Sequence, residues 1–322
     1  MESEGEVSAK KCFAPMTLFS VKSPVKMCAP MVRYSKLPFR TLVRKYGCDL
    51  AFTPMIMSDS FVRSAKARNS EFSTNSTDRP LIVQFAANNP SDLKLATEII
   101  MPYCDGIDLN CGCPQRWALQ EGIGASLIKK PELLKDIVQH AKSSVNNPDF
   151  TVSVKIRIHD DLRRTVSLAE MLERIGISWL SVHGRTVEQR KDPVNLEAIK
   201  LIAEHVQMPI IANGDIKTLD DVTKVCEFTG AAGVMSARGI LNNPAMFAGY
   251  EHTPLECVQD WVEIALETGA AFQTFHHHLM YMLENISCRA EKRVFNSLSS
   301  TTAVLDYLKC NYGITCQPVV IT

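Results

Sequence analysis

Residues 209–237 read PIIANGDIKTLDDVTKVCEFTGAAGVMSA, and this stretch decides the fold. PIIAN (209–213) and AAGVMSA (231–237) are short apolar runs rather than strict alternations, which is the pattern of parallel strands buried on both faces. Between them, Thr218 is placed to cap a helix over LDDVTKVCEF and Gly230 to end it. The unit is strand, helix, strand. Working outward, the same rhythm appears in VKMCAPM (25–31), DLAFTPM (49–55), PLIVQFA (80–86), GIDLNCG (106–112), FTVSVKIRI (150–158) and SWLSVHG (178–184). Helix starts are expected at Pro38, at Ser91 as an N-cap and at Pro131. Eight such units in about 225 residues predict a (β/α)8 TIM barrel over residues 23–252. A doubly wound open sheet would carry a glycine-rich fingerprint after its first strand; here that strand ends in Ala29-Pro30-Met31.

Beyond residue 252 the strand pattern stops. PLECVQDWVEIALETG, AFQTFHHHLMYMLENIS and AEKRVFNSLSSTTAVLDYLKCNYG read as helices, so residues 253–322 are expected to form a small C-terminal helical bundle domain. Residues 1–22 mix acids, lysines and apolar side chains, and are read as a loosely ordered, flexible tail rather than a targeting segment. No run approaches the roughly 20 apolar residues of a membrane helix, so no membrane partner is expected. The 11 cysteines are odd in number and scattered, which favours reduced thiols and a cytoplasmic setting, with the nucleus as a second compartment.

Net charge is zero, so any nucleic-acid contact must be local. Between Arg33 and Arg68 lie eight basic residues (Arg33, Lys36, Arg40, Arg44, Lys45, Arg63, Lys66, Arg68) against Asp49 and Asp59. This is either a solvated helix face with a basic loop or an RNA patch.

Barrel enzymes place their chemistry at the C-terminal strand ends. Those ends here carry Pro30-Met31, Gln84, Asn110-Cys111-Gly112-Cys113-Pro114, Lys155 and Arg157, His183-Gly184-Arg185, Asn213-Gly214-Asp215 and Ala237-Arg238-Gly239. Loops after the last two strands are the usual phosphate seat of the fold. Gly214 and Gly239 open the backbone there, and Arg238 adds a cation. Cys111 and Cys113 lack a second pair at zinc spacing, and His276-His277-His278 point about 100° apart on a helix. No metal is expected, and those histidines are read as surface or RNA-facing. Lys155 alone also suits a Schiff-base role.

The run Leu109–Pro114, joined in order by Ala29-Pro30-Met31, Phe39-Arg40, Gln84, Lys155-Ile156-Arg157, His183-Gly184-Arg185-Thr186, Asn213-Gly214-Asp215 and Ala237-Arg238-Gly239, resembles the tRNA-dihydrouridine synthase family. Met31–Pro38 most resembles the eukaryotic subfamily acting at positions 20a and 20b of the D-loop. The resemblance implies FMN, with NADPH as electron donor. It implies that Pro30, Met31 and Val32 line the flavin ring, that Gln84 and Lys155 bond its polar edge, and that Asn110 positions flavin or uracil. It further implies that His183, Asn213, Gly214, Asp215, Ala237 and Arg238 hold the ribityl-phosphate side.

By the same resemblance, hydride goes from reduced FMN to C6 of uracil and Cys113 protonates C5. A thiol with an ordinary pKa of about 8.5 is mostly protonated at neutral pH and can donate. Residues 122–127, Gly-Ile-Gly-Ala-Ser-Leu, are read as a mobile loop closing over the base, which must be flipped out of tRNA. Arg33, Arg63, Lys66, Arg185, Arg289 and Arg293 are the candidate RNA contacts, and a monomer is favoured. Two rivals stand beside this reading. One is an FMN barrel oxidoreductase acting on a small molecule such as dihydroorotate; the other is a non-catalytic RNA-binding protein on a decayed barrel.

Overall fold

The computed structural model describes residues 13–22 and 24–315. Its strands are β1 (Val25–Cys28), β2 (Leu50–Phe52), β3 (Ile56–Met57), β4 (Leu81–Ala86), β5 (Gly106–Cys111), β6 (Thr151–Arg157), β7 (Leu180–His183), β8 (Ile210–Asn213) and β9 (Gly233–Ser236). All pairings are parallel. The sheet closes because β1 pairs with both β2 and β9 while β2 also pairs with β4. Eight strands therefore form the barrel, and the two-residue β3 is a short extension against the end of β4. Each of the eight predicted strands is present and in barrel order.

The helices are α1 (Leu18–Val21), α2 (Leu37–Lys45), α3 (Ser58–Arg63), α4 (Ala65–Glu71), α5 (Pro90–Ile100), α6 (Arg116–Gln120), α7 (Pro131–Ser143) and α8 (Leu162–Arg174). They continue as α9 (Leu196–His205), α10 (Leu219–Thr229), α11 (Arg238–Asn242), α12 (Leu255–Glu267), α13 (Phe272–Met282), α14 (Arg289–Asn296) and α15 (Thr301–Tyr312). The signals read in 209–237 act as expected. Thr218 and Asp221 form a reciprocal capping box on α10, and Gly230 ends it at φ 70°, a conformation that suits glycine. On α5 the cap is Asn89, not Ser91. The Asn89 carboxamide oxygen accepts from the Ser91 and Asp92 N–H groups, and Pro90 takes the first helical position, where no N–H is needed.

Two boundaries differ from expectation. Residues 1–12 lie outside the described residues, but 13–22 form a 3-10 turn and α1 that cover one end of the barrel. Leu18 is buried, Phe19 packs 5.8 Å from Trp179, and the Phe13 N–H donates to Asp105 at 2.9 Å. Apolar Leu18 and Phe19 make this segment part of the core, so it is no loose tail. Likewise α12 sits against α2, in the place of the barrel's eighth helix: Trp261 is fully buried, 6.4 Å from Phe39, and Tyr46 donates to Asp260 at 2.6 Å. The separate helical unit is α13–α15, and it shares one continuous apolar core with the barrel.

Two of the three consecutive histidines are buried rather than surface-facing. His276 bonds the Phe295 carbonyl at 2.9 Å. His278 stacks on Phe39 at 4.4 Å, and its Nε2 meets the Tyr34 carbonyl at 3.1 Å. Burial pushes the His278 ring down to about 3, so it is neutral. It ties α13 to the loop after β1, while His277 is exposed.

Candidate active site at the mouth of the barrel

The C-terminal strand ends bring together most of the residues singled out in the sequence. β5 presents Asp108 and Asn110 two residues apart, and a strand places such residues on one side. Asp108 lies in register with Gln84 of β4 and Ser153 of β6, and Asn110 with Lys155. Gln84 Nε2 donates to Asp108 at 2.7 Å, Ser153 Oγ donates to the other Asp108 oxygen at 2.7 Å, and Asn110 Nδ2 donates to Gln84 Oε1 at 2.8 Å. Asn110 Oδ1 then accepts the N–H groups of Gly112 (3.2 Å) and Cys113 (2.9 Å). A polar chain thus runs from the barrel interior to the loop that carries Cys113. Neither Asp108 nor Ser153 was singled out by sequence.

Cys113 is half-buried and, like Met55 and Met57, packs against the apolar cluster of Ala86, Ala118 and Ile123. Cys111 is fully buried in the core, where desolvation raises its thiol well above the ordinary value. Of the two, only Cys113 can meet a substrate. Arg157, unassigned by the sequence reading, donates from Nε to the Gly112 carbonyl at 3.0 Å and from Nη1 to the Thr186 carbonyl at 2.8 Å, joining the loops after β5 and β7.

The stretch 122–127 is not the free loop expected. Ile123, Gly124, Ala125 and Leu127 are buried, and the Ala125 N–H donates to the Cys113 carbonyl at 3.1 Å. Gly124 has φ 61°, and a Cβ there would stand 2.9 Å from the Cys113 oxygen. Apolar Ile123 and Leu127 anchor this turn, which supports the cysteine from behind.

Lys155 of β6 stands in register with Asn110 of β5 and Ser181 of β7. Burial draws its ammonium down to about 8, and neighbouring Arg157 adds to the effect. Across the barrel, His183, Asn213, Gly214, Met235, Ala237 and Arg238 line a narrow cavity of about 80 Å³. Beside it, sharing Asp215, Lys217 and Arg238 in its wall, lies a cleft of about 460 Å³ that includes Lys191, His252 and Asn285. Burial and the surrounding cations Lys155, Arg157, Arg185 and Arg238 hold His183 neutral. Asn213 Nδ2 donates to the Met235 carbonyl at 2.8 Å. Gly239 has a reason the sequence did not disclose: a Cβ there would collide with the Ile216 carbonyl, so the glycine lets the loop after β8 pack against α11.

Asp215, at φ 52°, is the counter-ion of this side, paired with Arg185 and, at 3.2 Å, with Arg238. Arg185 therefore leaves the set of RNA contacts. It is 2% exposed and also bonds His183 and the Asp192 carbonyl. Arg238 is 65% exposed and can turn toward a ligand.

The basic stretch 33–68 also divides. Arg40 and Arg44 are spent on buried Asp78, at 2.7 and 3.2 Å. Lys45 pairs with Asp260, and Arg68 donates to the Phe61 and Val62 carbonyls. Arg33, Arg63 and Lys66 are exposed, as are Arg289 and Arg293 of α14. Pro30 and Met31 lie at the mouth end of β1, whereas Val32 is 54% exposed. Among the described residues, no group of three or more His, Cys, Asp or Glu is arranged to hold a metal, and no helix is long and apolar enough to cross a membrane.

Comparison with known proteins places this geometry. The family model described as "Dihydrouridine synthase (Dus)" matches residues 27–305. The chain is 60% identical over 300 residues to the human tRNA-dihydrouridine(20a/20b) synthase-like protein, covering 93% of this chain and 95% of that one. It is 43% identical over 298 residues to the Schizosaccharomyces pombe tRNA-dihydrouridine(20a/20b) synthase, covering 91% and 90%. With the Saccharomyces cerevisiae enzyme of the same name it shares 44% identity over 291 residues, covering 88% and 79%. These relatives are named as NAD(P)+-linked.

Proposed function

Because this chain belongs to the dihydrouridine synthase family, we propose that it reduces the C5–C6 double bond of uridine in the tRNA D-loop, at positions 20a and 20b, with FMN as cofactor and NADPH as electron donor. The observation that carries the mechanism is the half-buried Cys113 held at the mouth of the barrel by the Asn110 chain, facing cationic Lys155 and Arg157.

The residues fit FMN. The Ser181 hydroxyl is buried in register with Lys155 and has no hydrogen-bond partner among the described residues, so polar capacity is left over beside Lys155. The cavity beside His183 and Arg238 offers a cation at the strand ends where this fold seats phosphates. Lys155 and Gln84 would meet the polar edge of the ring, Pro30 and Met31 its face, and His183, Asn213, Gly214 and Ala237 the ribityl side. Arg238 would meet the phosphate by exchanging part of its pairing with Asp215. FMN held there would supply the hydride chemistry at C6 of the base, with NADPH as its electron donor.

The chain itself supplies placement and one proton. Asn110 and the 123–127 turn fix the backbone of Cys113, so its thiol can stand at C5 without losing entropy during the reaction. The thiol donates its proton to C5 as general acid. Lys155, close enough to Cys113 to interact electrostatically, favours negative charge developing in this part of the site. Arg33, Arg63, Lys66, Arg289 and Arg293, all exposed, would meet tRNA phosphates on either side of a flipped base.

The test is dihydrouridine content, mapped by position, in tRNA incubated with purified protein, FMN and NADPH, beside parallel reactions on free uracil and dihydroorotate. Dihydrouridine at 20a and 20b is the expected product. Turnover of the free bases with untouched tRNA would move the protein to the small-molecule oxidoreductases.

A further inference from the structure

We propose that Asp108 is a positioning residue for Cys113, acting through Gln84 and Asn110; this deepens the reading of Cys113 as proton donor and rests on it. The four side chains Ser153, Asp108, Gln84 and Asn110 are between 0% and 8% exposed. No partner for them is left to chance. Asp108 accepts from Ser153 Oγ and Gln84 Nε2, Gln84 Oε1 accepts from Asn110 Nδ2, and Asn110 Oδ1 accepts from the Gly112 and Cys113 N–H groups. Every donor between the Cys113 N–H and Asp108 points the same way, toward the carboxylate.

The shared direction of these bonds is what gives Asp108 its role. A carboxamide has one shape and two polarities, so Gln84 and Asn110 would fill their places equally well turned over. Turned over, Asn110 would present NH2 to two backbone N–H groups, a mismatch that a buried site makes costly. The chain therefore needs an acceptor at its far end to match the donors at its near end. Asp108 is that acceptor. Gln84 is 1% exposed and its Nε2 donates to Asp108, so without Asp108 the amide loses its reason to face as it does. Asp108 lies on β5 itself, two residues below Asn110, and the loop it controls is the one that leaves the same strand. The barrel register joins these residues across β4, β5 and β6, which makes the device rigid.

The role is one of polarity and not of charge. No hydrogen bond or ion pair joins Asp108 to Lys155 among the described residues, although the two interact electrostatically. Asp108→Asn can keep the chain intact. Its oxygen would accept from Gln84, and its NH2 would donate to Ser153 Oγ, whose own proton can turn to the Ile107 carbonyl, now at 3.4 Å. Asp108→Leu has similar volume and no acceptor.

Backbone hydrogen exchange of residues 111–114 and tRNA reduction, measured on the whole protein, test this together. In Asp108→Leu the Gly112 and Cys113 amides should exchange about tenfold faster, and kcat should fall about tenfold or more, with KM for tRNA within about twofold. Asp108→Asn should stay within about threefold of the wild type in both. If Asp108→Leu does not fold, Gln84→Met breaks the same chain one link on and should release the same two amides. Unchanged exchange at Gly112 and Cys113 in whichever of these folds overturns the proposal, and so does an Asp108→Asn as impaired as Asp108→Leu, which would assign the role to charge. The exchange arm needs no activity. A wild type that makes no dihydrouridine would sink the proposed function, while the exchange rates would still decide the role of Asp108.

Discussion

The two halves of the barrel mouth are built on opposite plans. On β4–β6, neutral amides and one carboxylate form a closed chain of hydrogen bonds that ends at the backbone of Cys113. On β7–β9, Arg185, Arg238 and Asp215 form an ionic group around a cavity, with Arg238 mostly in solvent. In the first half, Gln84 and Asn110 each commit one amide hydrogen to the protein. The second keeps a cation in reserve. A group that must stay still is held by satisfied, buried bonds, and a group that must receive an anion is held by exchangeable ones.

Arg185 and Arg238 separate the two plans most clearly. Both pair with Asp215, yet Arg185 is buried and Arg238 exposed. Arg185 is buried and bonds Asp215, His183 and the Asp192 carbonyl at once, so Arg185→Ala should lower the urea midpoint. Arg238→Ala should leave it nearly unchanged in the flavin-free protein, while raising the FMN Kd about tenfold or more through the lost charge-assisted bond. Equal effects of the two on stability would erase the division between halves.

Lys155 faces both halves, and its pH behaviour tells whether it serves the ligand. Burial lowers its pKa to about 8, so its charge is present below that value and lost as pH rises through it. FMN affinity, followed by flavin fluorescence, should fall on the alkaline side with a midpoint near pH 8. Lys155→Arg should abolish that limb, because arginine stays protonated.

A third test lies between barrel and helical unit. His278 is neutral in the fold, with its pKa depressed to about 3 from 6.5. Between those values the unfolded chain binds the extra proton, so its contribution to stability is complete above pH 6.5 and is lost as pH falls below it. His278→Gln should flatten the acid limb of a Tm-against-pH profile.

The mildest change is expected at the rim. Reversing Arg63 and Lys66 to Glu should weaken tRNA binding and reduce its salt slope by about one unit for each phosphate no longer neutralised. A slope identical to wild type would exclude these two from the interface.

Most of the architecture was legible because parallel barrel strands are apolar runs, and each here is bounded by a turn signal. The candidate site was legible where its residues stand at or near strand ends, as Cys113, Lys155 and Arg238 do. What could not be read depends on partners distant in sequence. Arg40 and Arg44 looked like free basic charge because Asp78 stands more than thirty residues away. Gly239 looked like an anion cradle because the Ile216 carbonyl that demands it belongs to another strand's loop. His276 and His278 were read by residue type, when burial of α13 against Phe295 and Phe39 decides their state. Asp108 did leave a trace: Asp108 and Asn110 alternate with Ile107, Leu109 and Cys111, which marks a polar face inside an otherwise apolar strand.

Whether Cys113 completes the reduction of uridine in tRNA is decided by a single comparison of wild type and Cys113→Ala, each loaded with FMN and given NADPH and tRNA lacking dihydrouridine. Cys113→Ala should retain flavin and become reduced by NADPH at the wild-type rate, yet form dihydrouridine at least about a hundredfold more slowly. Dihydrouridine made by Cys113→Ala at the wild-type rate would contradict its role as proton donor and send the search for the acid elsewhere in the mouth.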